Sequence, residues 1–349
     1  MDDTLSRWRT YHIFYHADRS RLLRRLVHPL AASLLRERII DRFYFVRYSL
    51  GGPHIRLRWR LSHSNAADDA EAALSEAADD FFVEYPSLGR LDEDLLLRTN
   101  ESIIRNDTSA LHEDGNIYPD NSWRLSQNGF EIERYGGIEH FCESLDLFCI
   151  SSVTILLQLE ENDPTANSLY LAIAFRFLLD LAWAFADNRD NFFELAGYYT
   201  CGNGVKFQKS IAKATAIVEQ CSELLVERVC GAIRAVHSTE IDGLAGAALR
   251  FASLVRQSAA SIGLLAKYSH IHMTLNRLGL SNSEEAYLSQ ILVKVCETLS
   301  RQKKELWDEL WKERELFAAR ANRYSLTEMA DAQCEHLIGR NAAGPGLGQ

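Results

Sequence analysis

The 349-residue sequence is 47% apolar and 25% charged, with only 19 Gly and 6 Pro, which excludes a disordered or collagen-like chain and allows one large domain or two ordinary ones. Its formal net charge of −10 argues against a free-standing nucleic-acid binder, which carries a basic surplus, while leaving room for a local basic pocket inside an acidic shell. The seven cysteines, Cys142 to Cys334, are odd in number and include no CxxC pair, which excludes a disulfide framework or zinc knuckle and points to small core residues in a reducing cytosol.

The N-terminus, MDDTLSRWRTYH, has no apolar signal core, and the chain is expected to be cytoplasmic. WRTYHIFYH (8–16), aromatic and β-branched, reads as a strand. Residues 18–38 carry Leu22, Leu23, Leu26, Leu30 and Leu34 at helical spacing, with Asp18 or Ser20 as N-cap and Pro29 as a kink or a break. RFYFVRYSL (42–50) and HIRLRWRLS (54–62) alternate with period two on either side of Gly51-Gly52-Pro53, a hairpin pattern. Residues 65–85 form a helix with an acidic outer face. The order β-α-β-β-α predicts a split β-α-β sheet, closed by a further strand near 122–135.

The stretch 106–122 is polar and rich in turn formers, and reads as a long loop. From 137 to 337 the pattern is helical, over 138–159, 165–189, 207–236, 241–265, 284–298 and 300–320. The apolar run 169–186 is broken by Arg176 and Asp180, which share one helix side; a buried core helix fits it better than a membrane span. The tail 338–349 reads as disordered. The fold class is α+β, a small antiparallel sheet packed with a largely helical C-terminal part. No flexible linker separates the halves, so the expectation is one domain over 1–349, with a sheet layer at 8–136 and a helical layer at 137–337.

No Walker loop, GxGxxG or GxSxG is present, and the glycines of CGNGVKF (201–207) read as a helix-start turn. His270 and His272 fall at i and i+2, on different helix faces, so they do not chelate one metal; no metal or cofactor is expected. Three stretches remain. Arg56, Arg58 and Arg60 share one face of a strand, either a solvated outer face or a cationic surface that grips carboxylates by bidentate bonds. EIERYGG (131–137) reads as a strand end with a Gly turn or as part of a site. His272 sits with Leu275 and Asn276 at helical spacing ahead of a Gly279 C-cap, as a core histidine or a catalyst.

FYFVRYSLGGPHIRLRWR, FEIERYGGIEHFCESLDLFCISS and HIHMTLNRLGLSNSEEAYL together resemble the signature stretches of the C-terminal glutamate-elimination domain of class I lanthipeptide dehydratases, a family with free-standing relatives in thiopeptide clusters. The resemblance spans about 8 to 300. It implies that the paired strand arginines are Arg56 and Arg58, that Glu131 and Arg134 are the Glu and Arg before Tyr-Gly-Gly, and that the catalytic histidine is His272. Arg60 matches nothing. The reaction implied is loss of glutamate from glutamylated Ser or Thr of a ribosomal precursor peptide, leaving dehydroalanine or dehydrobutyrine. Guanidinium groups suit the departing carboxylate and the enolate-like charge, and a histidine suits the proton transfer. Glu131 is expected to hold an arginine or the histidine in place.

These 349 residues contain no stretch that resembles the family's large glutamylation domain, so the resemblance implies a separate glutamyl-tRNA-dependent partner, and no nucleic acid or membrane is expected to be bound by this chain itself. The same resemblance admits a thiopeptide pyridine synthase, joining two dehydroalanines by a formal [4+2] cycloaddition with release of the leader peptide, or a non-catalytic leader-peptide binding module. Retention of both arginines and the histidine favours elimination. The front sheet's open edge is expected to take the leader as an added strand, and the 106–122 loop to close over the core peptide.

Overall fold

Among the described residues, four antiparallel strands form one sheet in the N-terminal part of the chain: β1 (Trp8–Phe14), β2 (Ile40–Tyr48), β3 (His54–Leu61) and β4 (Ser122–Ser126), in the order β2-β3-β1-β4. The computed structural model describes residues 3–88, 92–106, 116–127, 129–161, 167–203, 206–238, 241, 243–256 and 260–342. The fold is α+β as the sequence predicts. The predicted strand at 122–135 is shorter: it ends at Ser126, and Ile132–Tyr135 is a 3₁₀ turn. Two compact units divide the chain, one comprising 1–131, 151–162 and 333–349, the other 132–150 and 163–332.

In the first unit a short helix, α1 (Asp3–Ser6), precedes β1. The predicted 18–38 helix forms as α2 (Arg19–Leu22), a π-helical turn (Leu23–Val27) and α3 (His28–Arg36). Asp18 caps its start by accepting the Ser20 N–H at 2.9 Å. Pro29 has no N–H to give to the preceding turn, and the chain takes up that loss as a π-turn rather than a break. A helix with an acidic outer face follows, α4 (Ala67–Glu84), and then α5 (Glu93–Asn106), which the sequence reading missed. Residues 107–115, most of the predicted loop, lie outside the described residues.

Register sorts the sheet into two faces, because directly opposed residues point the same way. One face carries Tyr11, Ile13, Phe43, Phe45, Ile55, Leu57 and Trp59, all buried to 1% exposure or less. Tyr11 reaches Glu71 of α4, which places this apolar face toward the helices. The hairpin turn needs its glycine: Gly51 has φ +80°, and a Cβ there would lie 2.9 Å from both the Asn116 carbonyl oxygen and the Tyr118 ring. Asn100 of α5 accepts the Gly51 N–H at 3.0 Å, and the Tyr118 N–H donates to the Gly51 carbonyl at 2.9 Å.

The helices are α6 (Phe141–Glu161), α7 (Asn167–Phe185), α8 (Arg189–Asn203), α9 (Gln208–Ser238), α10 (Leu244–Val255), α11 (Ala260–Leu278), α12 (Asn282–Gln302), α13 (Lys304–Ala321) and α14 (Leu326–Ala342). The sequence reading missed α8, and it ran α10 and α11 together as far as 265. The last helix reaches Ala342, so 338–342 of the predicted tail are helical. Residues 201–203 end α8 and α9 begins at Gln208, so CGNGVKF marks a boundary between two helices.

The second unit is built around Trp183, Trp307 and Trp311, whose ring centroids lie 4.6–6.0 Å apart. Buried Arg314 closes α7 there: its Nε donates to the Trp183 carbonyl at 2.7 Å, and its Nη2 to the carbonyls of Ala184 (2.9 Å) and Ala186. These are oxygens a helix end leaves without intrahelical partners. Arg176 and Asp180 pair at 2.6 Å as their spacing predicts, and burial, partly offset by Arg176, pushes the Asp180 carboxyl up to about 6. Among the described residues one helix, α6, is long and apolar enough to cross a membrane by length and composition; 72% of its most apolar window is buried.

Candidate active site

The sequence-derived site residues divide between the units: Arg56, Arg58 and Glu131 belong to the first, Arg134 and His272 to the second. Arg56 lies opposite His12 of β1, and His12 opposite Arg124 of β4; Arg58 lies opposite Thr10 of β1 and Tyr44 of β2. All of them therefore share the second face of the sheet.

This face is not solvated. Arg56 is 8% exposed and Arg58 5%. Aromatic rings cover the guanidinium groups: Tyr48 lies 4.1 Å from that of Arg56, Phe130 4.7 Å from that of Arg58, and Tyr118 4.3 Å from that of Arg124. Arg58 also donates to the Gly129 carbonyl at 3.0 Å and to the Tyr44 hydroxyl at 3.3 Å. Two of the covering residues, Tyr118 and Phe130, come from segments some 60–70 positions beyond the strand, which is why strand alternation alone left the solvated reading open. Glu131 directly follows the Gly129–Phe130 stretch that meets Arg58.

The same face also carries two histidines. His12 and His54 stack with centroids 4.5 Å apart and planes at 26°. Burial holds His54 down to about 3, helped by Arg56, while its bond to the Gly52 carbonyl pulls the other way. Burial likewise holds His12 far below the ordinary histidine value, and competition with His54 for a proton and the positive charges of Arg56, Arg124 and Arg58 add to this. The imidazoles are thus neutral while the arginines keep their charge. Guanidinium groups on a dry sheet face have the chemistry to bind anions, carboxylates above all.

Arg60, at the end of the same row, behaves differently. Its Nε pairs with Asp41 Oδ1 at 2.5 Å, and its side chain is 19% exposed. Asp41 thus matches its charge at the more open end of the row. Arg60→Ala is therefore expected to cost about 1 kcal/mol or less of stability and to leave turnover within twofold, checked by urea denaturation and steady-state rates on one preparation.

In the second unit the EIERYGG stretch turns through the 3₁₀ segment into Gly136, whose φ of +100° and 3.0 Å approach of a would-be Cβ to His140 Cβ demand glycine. That turn carries Arg134, whose Nε donates to Ser269 Oγ of α11 at 3.1 Å. Ser269 precedes His272 by one helical turn, so Arg134 and His272 are tied to the same helix. His270 points elsewhere, into a buried aromatic cluster of Phe148 and Phe251 (centroids 4.7 Å from each), with its Nε2 3.1 Å from Ser144 Oγ. The two histidines lie on different faces, as their spacing requires.

His272 is partly open, at 20% exposure. Its Nδ1 lies 2.8 Å from Glu285 Oε2, and its ring is parallel to that of Tyr268 at 11°. The sequence reading offered Glu131 as the carboxylate holding an arginine or the histidine; it did not name Glu285, which meets His272. The signal was present in the SNSEEAYL stretch, because Gly279 (φ +114°) ends α11 and Ser281 caps α12, folding residue 285 back toward 272. Among the described residues, no three His, Cys, Asp or Glu side chains gather as a metal site requires.

The lantibiotic biosynthesis dehydratase C-terminal family model matches residues 8–296, which include all five site positions. No curated protein matches in sequence. The fold is similar to that of TbtD, the pyridine synthase from thiomuracin biosynthesis (TM-score 0.66, 18% identity, 84% of this chain and 98% of TbtD). It is also similar to the tRNA-dependent lantibiotic dehydratase MibB from Microbispora sp. 107891 (0.53, 19%, 86% of this chain and 29% of MibB), and to TsrL (0.52, 14%, 93% and 98%). With more than four-fifths of its length covered by the family model, the chain belongs to the lantibiotic biosynthesis dehydratase C-terminal family.

Proposed function

We propose that this protein eliminates glutamate from glutamylated Ser or Thr side chains of a ribosomally made precursor peptide. The observation that carries the reading is the dry arginine face, where Arg56 and Arg58 are buried beneath the rings of Tyr48 and Phe130. Such a face fits a carboxylate that must be held as it departs. In the reaction a base removes the Cα proton, the electron pair left behind forms the Cα=Cβ bond, and the Cβ–O bond breaks with its electrons going to the glutamate carboxylate. Arg56 and Arg58 bind that carboxylate, Arg134 stabilises negative charge building on the peptide carbonyl, and His272 carries the proton. A separate glutamylating enzyme supplies the substrate.

A second reading, pyridine synthesis by a formal [4+2] cycloaddition of two dehydroalanines, has a specific observation behind it: the likeness to TbtD extends over 98% of that chain. Feeding separates the two. One aliquot of enzyme receives glutamyl-Ser peptide and another a linear, azole-bearing bis-dehydroalanine peptide, and mass spectrometry follows each. Glutamate loss from the first with no change in the second is the expected result; release of leader peptide and water from the second alone would replace elimination with cyclisation.

The leader has one sheet edge to consider. Sheet order puts β2 and β4 at the edges, and on β2 the Phe45 N–H already donates to Ser152 Oγ of α6 at 3.2 Å. The reading therefore gives the added peptide strand to β4.

A further inference from the structure

From the geometry around α11 we infer that Glu285 is the positioning residue of His272: it fixes the imidazole with its proton on Nδ1, so that Nε2 is the nitrogen that exchanges a proton with the peptide. The inference rests on the proton-transfer role proposed above for His272. Two adjacent glutamates open α12 and do different work. Glu284 completes a capping box, accepting the Ser281 N–H at 2.8 Å while its own N–H donates to Ser281 Oγ at 3.3 Å. Glu285 is not needed for that cap and turns inward, where it is 2% exposed.

Burying a carboxylate this completely is costly unless a donor meets it. The donor is His272 Nδ1 at 2.8 Å. An ionised carboxylate only accepts, so in the neutral imidazole the hydrogen resides on Nδ1 and the lone pair on Nε2. Ring orientation is fixed separately. Tyr268, one helical turn earlier on α11, lies parallel to the imidazole at 11° with centroids 6.3 Å apart, and Tyr198 of α8 stacks on Tyr268 at 3.5 Å. The carboxylate sets the tautomer and the tyrosines set the plane. A histidine serving only as core filler requires neither.

The test uses the full chain with ¹⁵N-labelled histidine. Imidazole ¹⁵N NMR at neutral pH should show His272 protonated on Nδ1 in the wild type and shifted toward the Nε2–H form in Glu285→Leu, an apolar replacement expected to fold because it removes a buried charge. Glu285→Gln keeps an acceptor oxygen and should retain the Nδ1–H form, which provides a second variant should the leucine fail to fold. In glutamate release, Glu285→Leu should lower kcat by about 10–10²-fold, the scale seen when a carboxylate holding a functional imidazole is removed, with KM unchanged, and Glu285→Gln, which keeps the tautomer but loses the negative charge facing the imidazolium, should fall at the low end of that range. An Nε2–H signal for His272 in the wild type would overturn the inference, as would a wild-type kcat in both variants. If the wild type itself releases no glutamate, the elimination reading falls, while the nitrogen spectra still decide what Glu285 does to His272.

Discussion

His272→Ala is expected to slow release of glutamate by ~10²–10⁴-fold, the usual worth of a positioned acid or base, and to accumulate glutamylated peptide. The side chain is partly exposed and lies at the edge of its helix packing, so truncation removes the imidazole without opening the core. Arg56→Ala should give the same accumulation by a different route, because the departing carboxylate loses a fixed guanidinium. Arg56→Lys should rescue little of it: an ammonium cannot reproduce the planar fork or lie against the Tyr48 ring as the guanidinium does. Rates come from single-turnover mass spectrometry on variants whose thermal melts match the wild type. Full glutamate release by His272→Ala would remove the histidine from the mechanism; full release by Arg56→Ala would remove the anion grip.

Acid should loosen the first unit well before it protonates ordinary carboxylates. His54 is held down to about 3, against 6.5 in an unfolded chain, and His12 is shifted the same way, in both cases chiefly by burial. Below pH 6.5 the unfolded chain binds protons that the folded chain refuses. Their contribution is therefore constant above about pH 7 and is lost as pH falls from 6.5 toward 3. The slope is about 1 kcal/mol per pH unit for each histidine, or roughly 4 kcal/mol for the pair at pH 5 as an upper figure. That is a large share of the 5–15 kcal/mol typical of a folded domain. Urea midpoints measured between pH 7.5 and 5 should fall steeply, and His54→Phe, which keeps an aromatic ring in the stack, should flatten the slope. A wild-type midpoint that does not move over this range would mean the two imidazoles are not held neutral.

The hairpin of β2 and β3 was legible because both strands alternate strictly around Gly51-Gly52-Pro53, and period two leaves one way to place Leu57 and Trp59. What covers the other face was not legible, since Tyr118 and Phe130 arrive from much later in the sequence and strand periodicity carries no information about them. Arg60 could be separated from Arg56 and Arg58 only through the resemblance; in the fold its partner is Asp41, on the neighbouring strand. The helical part was read in outline. The α10–α11 merger shows why its boundaries slipped: small and apolar residues continue the pattern from 244 into the next helix, with no proline to mark the break. Glu285 was hidden by its role, because beside Glu284 it looks like one half of a solvated first-turn pair, and only the Ser281 cap reveals that one of the two glutamates is already occupied.

Covering the arginine row with aromatic rings has a further consequence, for ionic strength. Dissolved ions screen charges at the surface, within a Debye length of about 8–10 Å near physiological salt, but screen buried charges much less. The whole chain carries a formal net charge of −10, while Arg56 and Arg58 lie beneath Tyr48 and Phe130. Added salt therefore weakens the repulsion between an acidic protein and an anionic peptide and leaves the charge of the buried arginines nearly unscreened. Association with such a peptide should hold or strengthen as salt rises, the opposite of the steep salt loss shown by proteins that capture anions with an exposed basic patch.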